Sequence, residues 1–221
     1  MSSQPAQWLI QWLSAPRLAT FIAAADGDAD RALALYTWNS RISASLLRDL
    51  ADLEVLVRNA YDGAIRSRRT GSATHWLVDP SFVLVRPRLN RRGHDANFGT
   101  RRIIAKAIED SGGPAAPAGK IVAQLSFGFW RHMTSRGREH EVWVPYLRHA
   151  FDTGTSRHAV DSRMERLGQL RNRIAHHEAI VGRDLARDHR ELLDLCGWIA
   201  PEVRAYVAST TGVPALLATR P

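Results

Sequence analysis

The sequence predicts an all-α, helix-bundle-like protein. Two observations carry that expectation. Apolar residues recur at three- and four-residue spacing in several long segments, and no set of alternating apolar/polar runs is present that would make a sheet. The composition, 45% apolar and 24% charged over 221 residues, is that of a globular chain able to bury a real core. No internal repeat is visible.

Taken in order, residues 1–27 read as an N-terminal helical extension. Its segment WLIQWLSAPRLATFIAAA contains Gln11, Pro16 and Arg17, so it cannot cross a bilayer as one apolar helix. WLIQWL is expected to pack on the bundle or to serve a dimer contact. Residues 28–211 form the main helical domain and residues 212–221 a tail. From Asp28 to about Arg68 the pattern is helical, with Leu46, Leu50, Leu53, Val57, Ala60 and Ala64 as a core stripe and Asp28 or Asp30 as the cap. It is either one long helix or two joined near Asn39–Ser45. From Arg66 to Asn97 the period fails. Gly, Pro and many Arg predict a long, Arg-rich connection, with a short extended piece at Phe82–Val85. Further helices are expected at about Phe98–Asp110, Lys120–Ser135, Glu141–Phe151, Ser156–His176 and Asp184–Ser209. SGGPAAPAG interrupts the series, and Pro201 kinks or breaks the last helix.

The charge is less ordinary. Lys and Arg total 30 against 22 acidic residues, a net of +8, and only Lys106 and Lys120 are lysines. Arginine pairs bidentately with phosphate and stacks on bases, so this excess suits nucleic acid. A coding bias toward Arg explains the Arg-for-Lys exchange equally well but not the net charge. Cys196 is the lone cysteine, so no internal disulfide forms, and no signal-peptide pattern is seen; a cytoplasmic protein with no membrane partner is expected.

Chemistry concentrates in LRNRIAHHEAI, Leu170–Ile180. Leu167, Leu170, Ile174 and Ala175 make a core-facing stripe. On a continuous helix Asn172 and His176 share a face, as do Arg173 and His177, whereas Arg171 and His176 stand about 140° apart. A second copy of the helix would ease that separation. Histidine can take and return a proton near neutrality, arginine offers a fork of donors to phosphate, and asparagine orients either. Together they suffice to cleave RNA without metal. The ribose 2′-hydroxyl loses its proton and attacks its own phosphate, guanidinium stabilises the pentacoordinate charge, and the 5′-oxygen leaves protonated. Proton transfer of this kind contributes roughly 10²–10⁴-fold. A metal site at His176, His177 and Glu178 is disfavoured, because adjacent histidines diverge on a helix and no partner stands at i+4. A solvated, ion-paired helix end is the bland alternative.

The same stretch resembles the signature of HEPN-superfamily ribonucleases, an Arg followed after four to six residues by His, here Arg171-Asn172-x-x-x-His176. More narrowly, the chain resembles the Abi-like (abortive infection) branch. LEVLVRNAYDGAI (Leu53–Ile65), QLSFGFWRHM (Gln124–Met133) and VWVPYLRHAF (Val142–Phe151) match that branch in the same order, so the likeness spans about Ala32 to Val181. It implies a HEPN-like all-α bundle, a homodimer that places two motifs around one cleft, and metal-independent endoribonuclease activity without cofactor. The products would be 2′,3′-cyclic phosphate and 5′-hydroxyl ends, in phage defence or a toxin–antitoxin pair restrained by a protein or noncoding RNA. It also assigns roles. Arg171 would polarise the phosphate, His176 would be the acid/base, and Asn172 would support them. His177, Glu178, Glu54, Arg58 and Asn59 match as supporting positions, the last three either approaching the site or bracing a helix pair.

Two other features admit a plainer structural role. Phe127, Phe129 and Trp130 are expected in the core, with Gly128 allowing close helix approach; Tyr36, Trp38 and Trp143 are likewise packing residues. Arg66, Arg68, Arg69, Arg86, Arg88, Arg91, Arg92, Arg101 and Arg102, interleaved with His75, Trp76, Phe82 and His94, look like a sequence-blind surface for the RNA backbone or a solvated face. The alternatives to a nuclease are a non-catalytic module of the same fold binding RNA, a nucleotide or a partner, and a structural protein whose His/Arg helix only pairs charges.

Overall fold

The computed structural model describes residues 7–69 and 71–221. Helix accounts for 68% of the chain and no strand occurs among the described residues, so the all-α expectation holds. The helices are α1 (Gln7–Leu13), α2 (Ala15–Ala24), α3 (Ala29–Arg68), α4 (Phe98–Asp110), α5 (Ala118–Gln124), α6 (Phe127–Met133), α7 (Arg157–Ala175), α8 (Leu185–Ile199), α9 (Pro201–Thr210) and α10 (Val213–Ala218). The chain divides into two compact units, one of residues up to Leu53 with Arg166–Pro221, the other Glu54–Glu165.

α3 is a single helix of 40 residues. The Asp28 carboxylate caps it, accepting from the Arg31 amide at 2.9 Å. Thr37 and Ser40, poor helix formers, return their hydroxyls to the carbonyls of Leu33 and Tyr36, which leaves the ladder intact. In the first unit α3 buries Leu35, Trp38, Ile42, Leu46 and Leu50; α7 adds Leu167, Leu170 and Ile174, and α8 adds Leu192, Leu195 and Cys196. The tail is helical rather than loose. The Trp38 indole donates to the Leu216 carbonyl at 2.7 Å, and the Arg220 guanidinium lies 5.3 Å from the Trp38 ring. Helix 184–209 breaks at Ala200, as Pro201 lacks the amide that would continue α8.

The second unit is built on aromatic side chains. Trp76 and Trp130 are fully buried, and Trp76 contacts Phe82, Phe129 and Trp130. Its indole donates to Asp62 at 2.8 Å, and the His75 ring nitrogen lies 2.9 Å from the same oxygen. Burial alone would raise the Asp62 carboxyl, but those hydrogen bonds and the nearby His75 and Arg66 charges outweigh it and hold it low. Buried Arg138 donates to Asn97 and Thr100, while the Asn97 amide donates to the carbonyls of Val83 and Arg86. A connection without regular structure is thus held from beneath by side chains.

Four local expectations give way here. Phe82–Val85 is a turn, with the Val85 and Arg86 amides both bonded to the Phe82 carbonyl; Phe82 and Leu84 point inward as anchors. The helix expected at Lys120–Ser135 splits into α5 and α6, because Leu125 is extended and its freed carbonyl is taken by the Trp130 indole at 3.1 Å. Glu141–Phe151 is no α-helix. Pro145 supplies no amide, and residues 136–150 form 3₁₀ turns at Arg136–Arg138 and Leu147–Ala150 around a π turn at Glu139–Trp143. Phe127, Phe129 and Trp130 are core as expected, but Gly128 needs no close approach: a Cβ there would meet only Ser126 Oγ at 3.7 Å.

Inside the first unit Asp49 is fully buried and accepts from the Thr211 hydroxyl at 2.5 Å, while His189 Nε2 stands 3.9 Å from the same carboxylate, beyond hydrogen-bonding reach. Burial pushes His189 below its ordinary 6.5, against the pull of Asp49. Burial pushes Asp49 up from 3.8, against its Thr211 bond and neighbouring charges. The depressed imidazole contributes stability above about pH 6.5 that is lost as pH falls through its folded value. Asp49 acts in the opposite sense. Urea midpoints measured from pH 7.5 to 5.5 are expected to fall less steeply for His189→Gln than for the unaltered protein; equal slopes would refute the assignment.

Candidate functional site

The segment carrying the Arg-to-His motif is positioned by a buried carboxylate. Asp188, in the first turn of α8, is fully buried and held by two guanidiniums. Arg166 Nε donates to one oxygen at 2.5 Å and Arg183 Nε to the other at 2.9 Å; a second Arg183 nitrogen also reaches the Arg166 carbonyl at 3.3 Å. Asp184 caps α8 by accepting from the Arg187 amide. α7, the loop after it and the start of α8 are therefore joined at one point. Removing one member strands the others in a partly dry environment, at about 3–5 kcal/mol for a buried pair.

α7 ends at Ala175, one residue earlier than expected. The end is a Schellman turn: the His177 amide bonds the Ile174 carbonyl at 3.0 Å and the Glu178 amide bonds that of Arg173 at 2.8 Å. That turn requires a left-handed residue, usually glycine, and His177 occupies it with φ +54°. The pairing of Arg173 with His177 along one helical face is consequently lost. Arg173 instead meets Glu178 at 3.4 Å. His176 keeps its helical bond to the Asn172 carbonyl at 3.0 Å, so these two still share a face. Ala175 is exposed, not core; the chain turns off just where the stripe would have continued.

Arg171 is half-buried, and Asn172, His176, His177 and Glu178 are exposed. Among the described residues the side chains of Arg171, Asn172 and His176 have no hydrogen-bond or ion-pair partner, so all three are open to a ligand. Beyond the cap, the Ile180 amide donates to Asn39 Oδ1 at 2.9 Å in a buried contact, tying the loop to α3. Beside the cap is a groove of about 330 Å³ whose walls include Arg17, Tyr36, Asn39, Ser43, His177 and Glu178. Sequence reasoning missed Asn39, Asp188 and the two arginines that hold it. A side-chain amide beside the apolar stripe of α3 was the available signal for the first. Among the described residues no three His, Cys, Asp or Glu side chains converge as a metal-binding group.

The remaining candidates belong to the second unit. Glu54 and Arg58 are half-buried and Asn59 exposed, none with a side-chain hydrogen bond among the described residues. The nine arginines divide. Arg66, Arg69, Arg88 and Arg101 pair with Asp62, Asp79, Glu141 and Asp95. Arg102 lies over the Phe98 ring at 5.8 Å. Arg68, Arg86, Arg91 and Arg92 are exposed without a carboxylate partner among the described residues. Trp76 and Phe82, expected among the arginines at the surface, are buried anchors.

No protein-family model, curated protein or solved structure gives a significant match to this chain. Asp188→Ala is expected to lower unfolding free energy by about 3 kcal/mol or more in urea titrations; a loss below about 1 kcal/mol would remove Asp188 as the organiser. His177→Gly, which relieves a left-handed side chain, is expected to raise stability by up to about 1 kcal/mol, whereas a lowered midpoint would mean the imidazole contributes more than its backbone strain takes away.

Proposed function

We propose that the protein is a metal-independent endoribonuclease of the HEPN, Abi-like kind, acting in phage defence or as the toxin of a toxin–antitoxin pair. The observation that carries the reading is the open state of Arg171, Asn172 and His176 at the end of α7, where no internal carboxylate occupies the guanidinium or the imidazole. His176 takes the 2′-hydroxyl proton or returns one to the 5′-oxygen, Arg171 stabilises the pentacoordinate phosphate, and Asn172, one turn from His176, orients it. Because Arg171 and His176 leave the helix in different directions, the working site draws on two copies of the motif in a homodimer. Exposed Arg86, Arg91 and Arg92 supply salt-sensitive attraction to the RNA backbone. An antitoxin protein or noncoding RNA is the natural restraint on such an activity.

A non-catalytic RNA-binding module is the second reading, favoured by those same unpaired arginines. The two separate in one experiment. Purified protein is incubated with total RNA in EDTA beside His176→Ala and Arg171→Ala, and the cut ends are analysed. The nuclease gives 2′,3′-cyclic phosphate ends, with at least a 10²-fold loss in either variant and an unchanged melting temperature. RNA binding without cutting, or cutting that survives His176→Ala, overturns it.

A further inference from the structure

The groove beside the α7 cap is not used by the chemistry above, and its walls are specific enough to ask what it holds. We infer that it is a nucleobase subsite, which seats one base of the RNA strand next to the phosphate handled by Arg171 and His176. The choice of ligand rests on the endoribonuclease reading; the groove's geometry does not.

Size comes first. At about 330 Å³ the groove lies at the small end of the range of roughly 300–1,000 Å³ found for small-molecule sites, which suits one nucleotide unit rather than a helix or strand. Location comes next. His177 and Glu178 line it and follow His176 directly, one and two Cα steps of about 3.8 Å away. A base held there would lie beside the end of α7 that carries the motif.

The polar groups then decide the ligand class. Asn39 is only 7% exposed, and its Oδ1 is already committed to the Ile180 amide at 2.9 Å. That bond fixes which end of the amide is which. Asn39 lines the groove, and its Nδ2 donors have no partner among the described residues. Glu178 adds an acceptor to the same groove, its charge offset by Arg173 at 3.4 Å. A fixed donor and an acceptor match the pairing edge of a nucleobase, which always carries both. Tyr36 and Leu47 supply apolar surface for the faces of the base. Tyr36 is steadied by edge contacts to Phe21 and Trp12, each at 5.4 Å between ring centroids. Arg17, exposed on the rim and without an ion-pair partner among the described residues, provides the counter-charge for a phosphate.

The test titrates the full-length protein with each of the four ribonucleoside 5′-monophosphates and their nucleosides, by calorimetry. Ala44→Trp fills the groove from an exposed position on α3, Arg17→Ala removes the rim charge, and Val55→Trp, exposed elsewhere on α3, is the control. At least one monophosphate is expected to bind saturably. Ala44→Trp should weaken it tenfold or more, Val55→Trp should leave it unchanged, and Arg17→Ala should weaken the monophosphate but not the nucleoside. Absence of saturable binding by any of the four, or equal affinity in Ala44→Trp, overturns the subsite. The nuclease reading is judged separately. Groove-dependent nucleotide binding without RNA cutting keeps the subsite and rejects the nuclease, whereas RNA cutting by a protein whose groove binds no nucleotide does the reverse.

Discussion

A carboxylate without water, gripped by two guanidiniums, is the constraint on which the first unit depends. Asp188 makes no sense as an isolated buried charge, since an ionised group loses several kcal/mol of hydration on leaving water. Arg166 from α7 and Arg183 from the following loop restore that loss with direct hydrogen bonds, and doing so fixes where the loop begins and ends. The Schellman turn between them has little freedom left. It must reverse the chain within a few residues, and it does so with a histidine in a conformation that glycine would adopt more easily. The loop's other anchor is again polar, the Ile180 amide on Asn39. Apolar packing holds the helices, but hydrogen bonds to buried side chains decide the path of the segment that carries the Arg-to-His motif.

Arginine does two kinds of work in this chain. Arg138, Arg166, Arg183 and Arg69 are structural: each satisfies a carboxylate, amide or carbonyl that would otherwise be buried or left unmet. Their planar forks let one side chain bridge several acceptors, which lysine does less well. What is left for a ligand is a smaller set, which includes Arg68, Arg86, Arg91 and Arg92 at the surface of the second unit and Arg17, Arg41 and Arg171 in the first. A net charge of +8 therefore overstates no attraction to polyanions at long range, yet the number of guanidiniums free to grip a phosphate is well below the count in the sequence.

The second unit shows how a segment without regular structure can be well determined. Trp76, Phe82 and Leu84 enter the core from turns; Asp62 accepts from the Trp76 indole, and Asn97, held by Arg138, donates to the backbone carbonyls of Val83 and Arg86. Each anchor removes backbone freedom that a helix or strand would remove by its own ladder. The Arg-rich composition of this stretch reads as a solvated loop, and only the placement of Trp76, Leu77, Phe82 and Leu84 reveals that part of it faces inward.

By itself the sequence determined the helical class, the core stripes of α3 and α7, the bounds of α4 and the placement of Arg171, Asn172 and His176 at the end of a helix, because periodicity and residue chemistry are local properties. It carried the stop at Pro201 for the same reason. It did not determine the break at Leu125, the turn at Phe82–Val85, the helical tail or the left-handed His177. Each of those depends on a partner distant in the chain or on a backbone state no residue type demands: the Trp130 indole, a buried pocket for Phe82, Trp38 beneath α10, and the cap geometry of α7. Asn39 lies about 140 residues from Ile180, a separation at which no sequence period operates. Only the tertiary structure could decide that contact, since the fold must first bring two residues so far apart in the chain together and shield both from water.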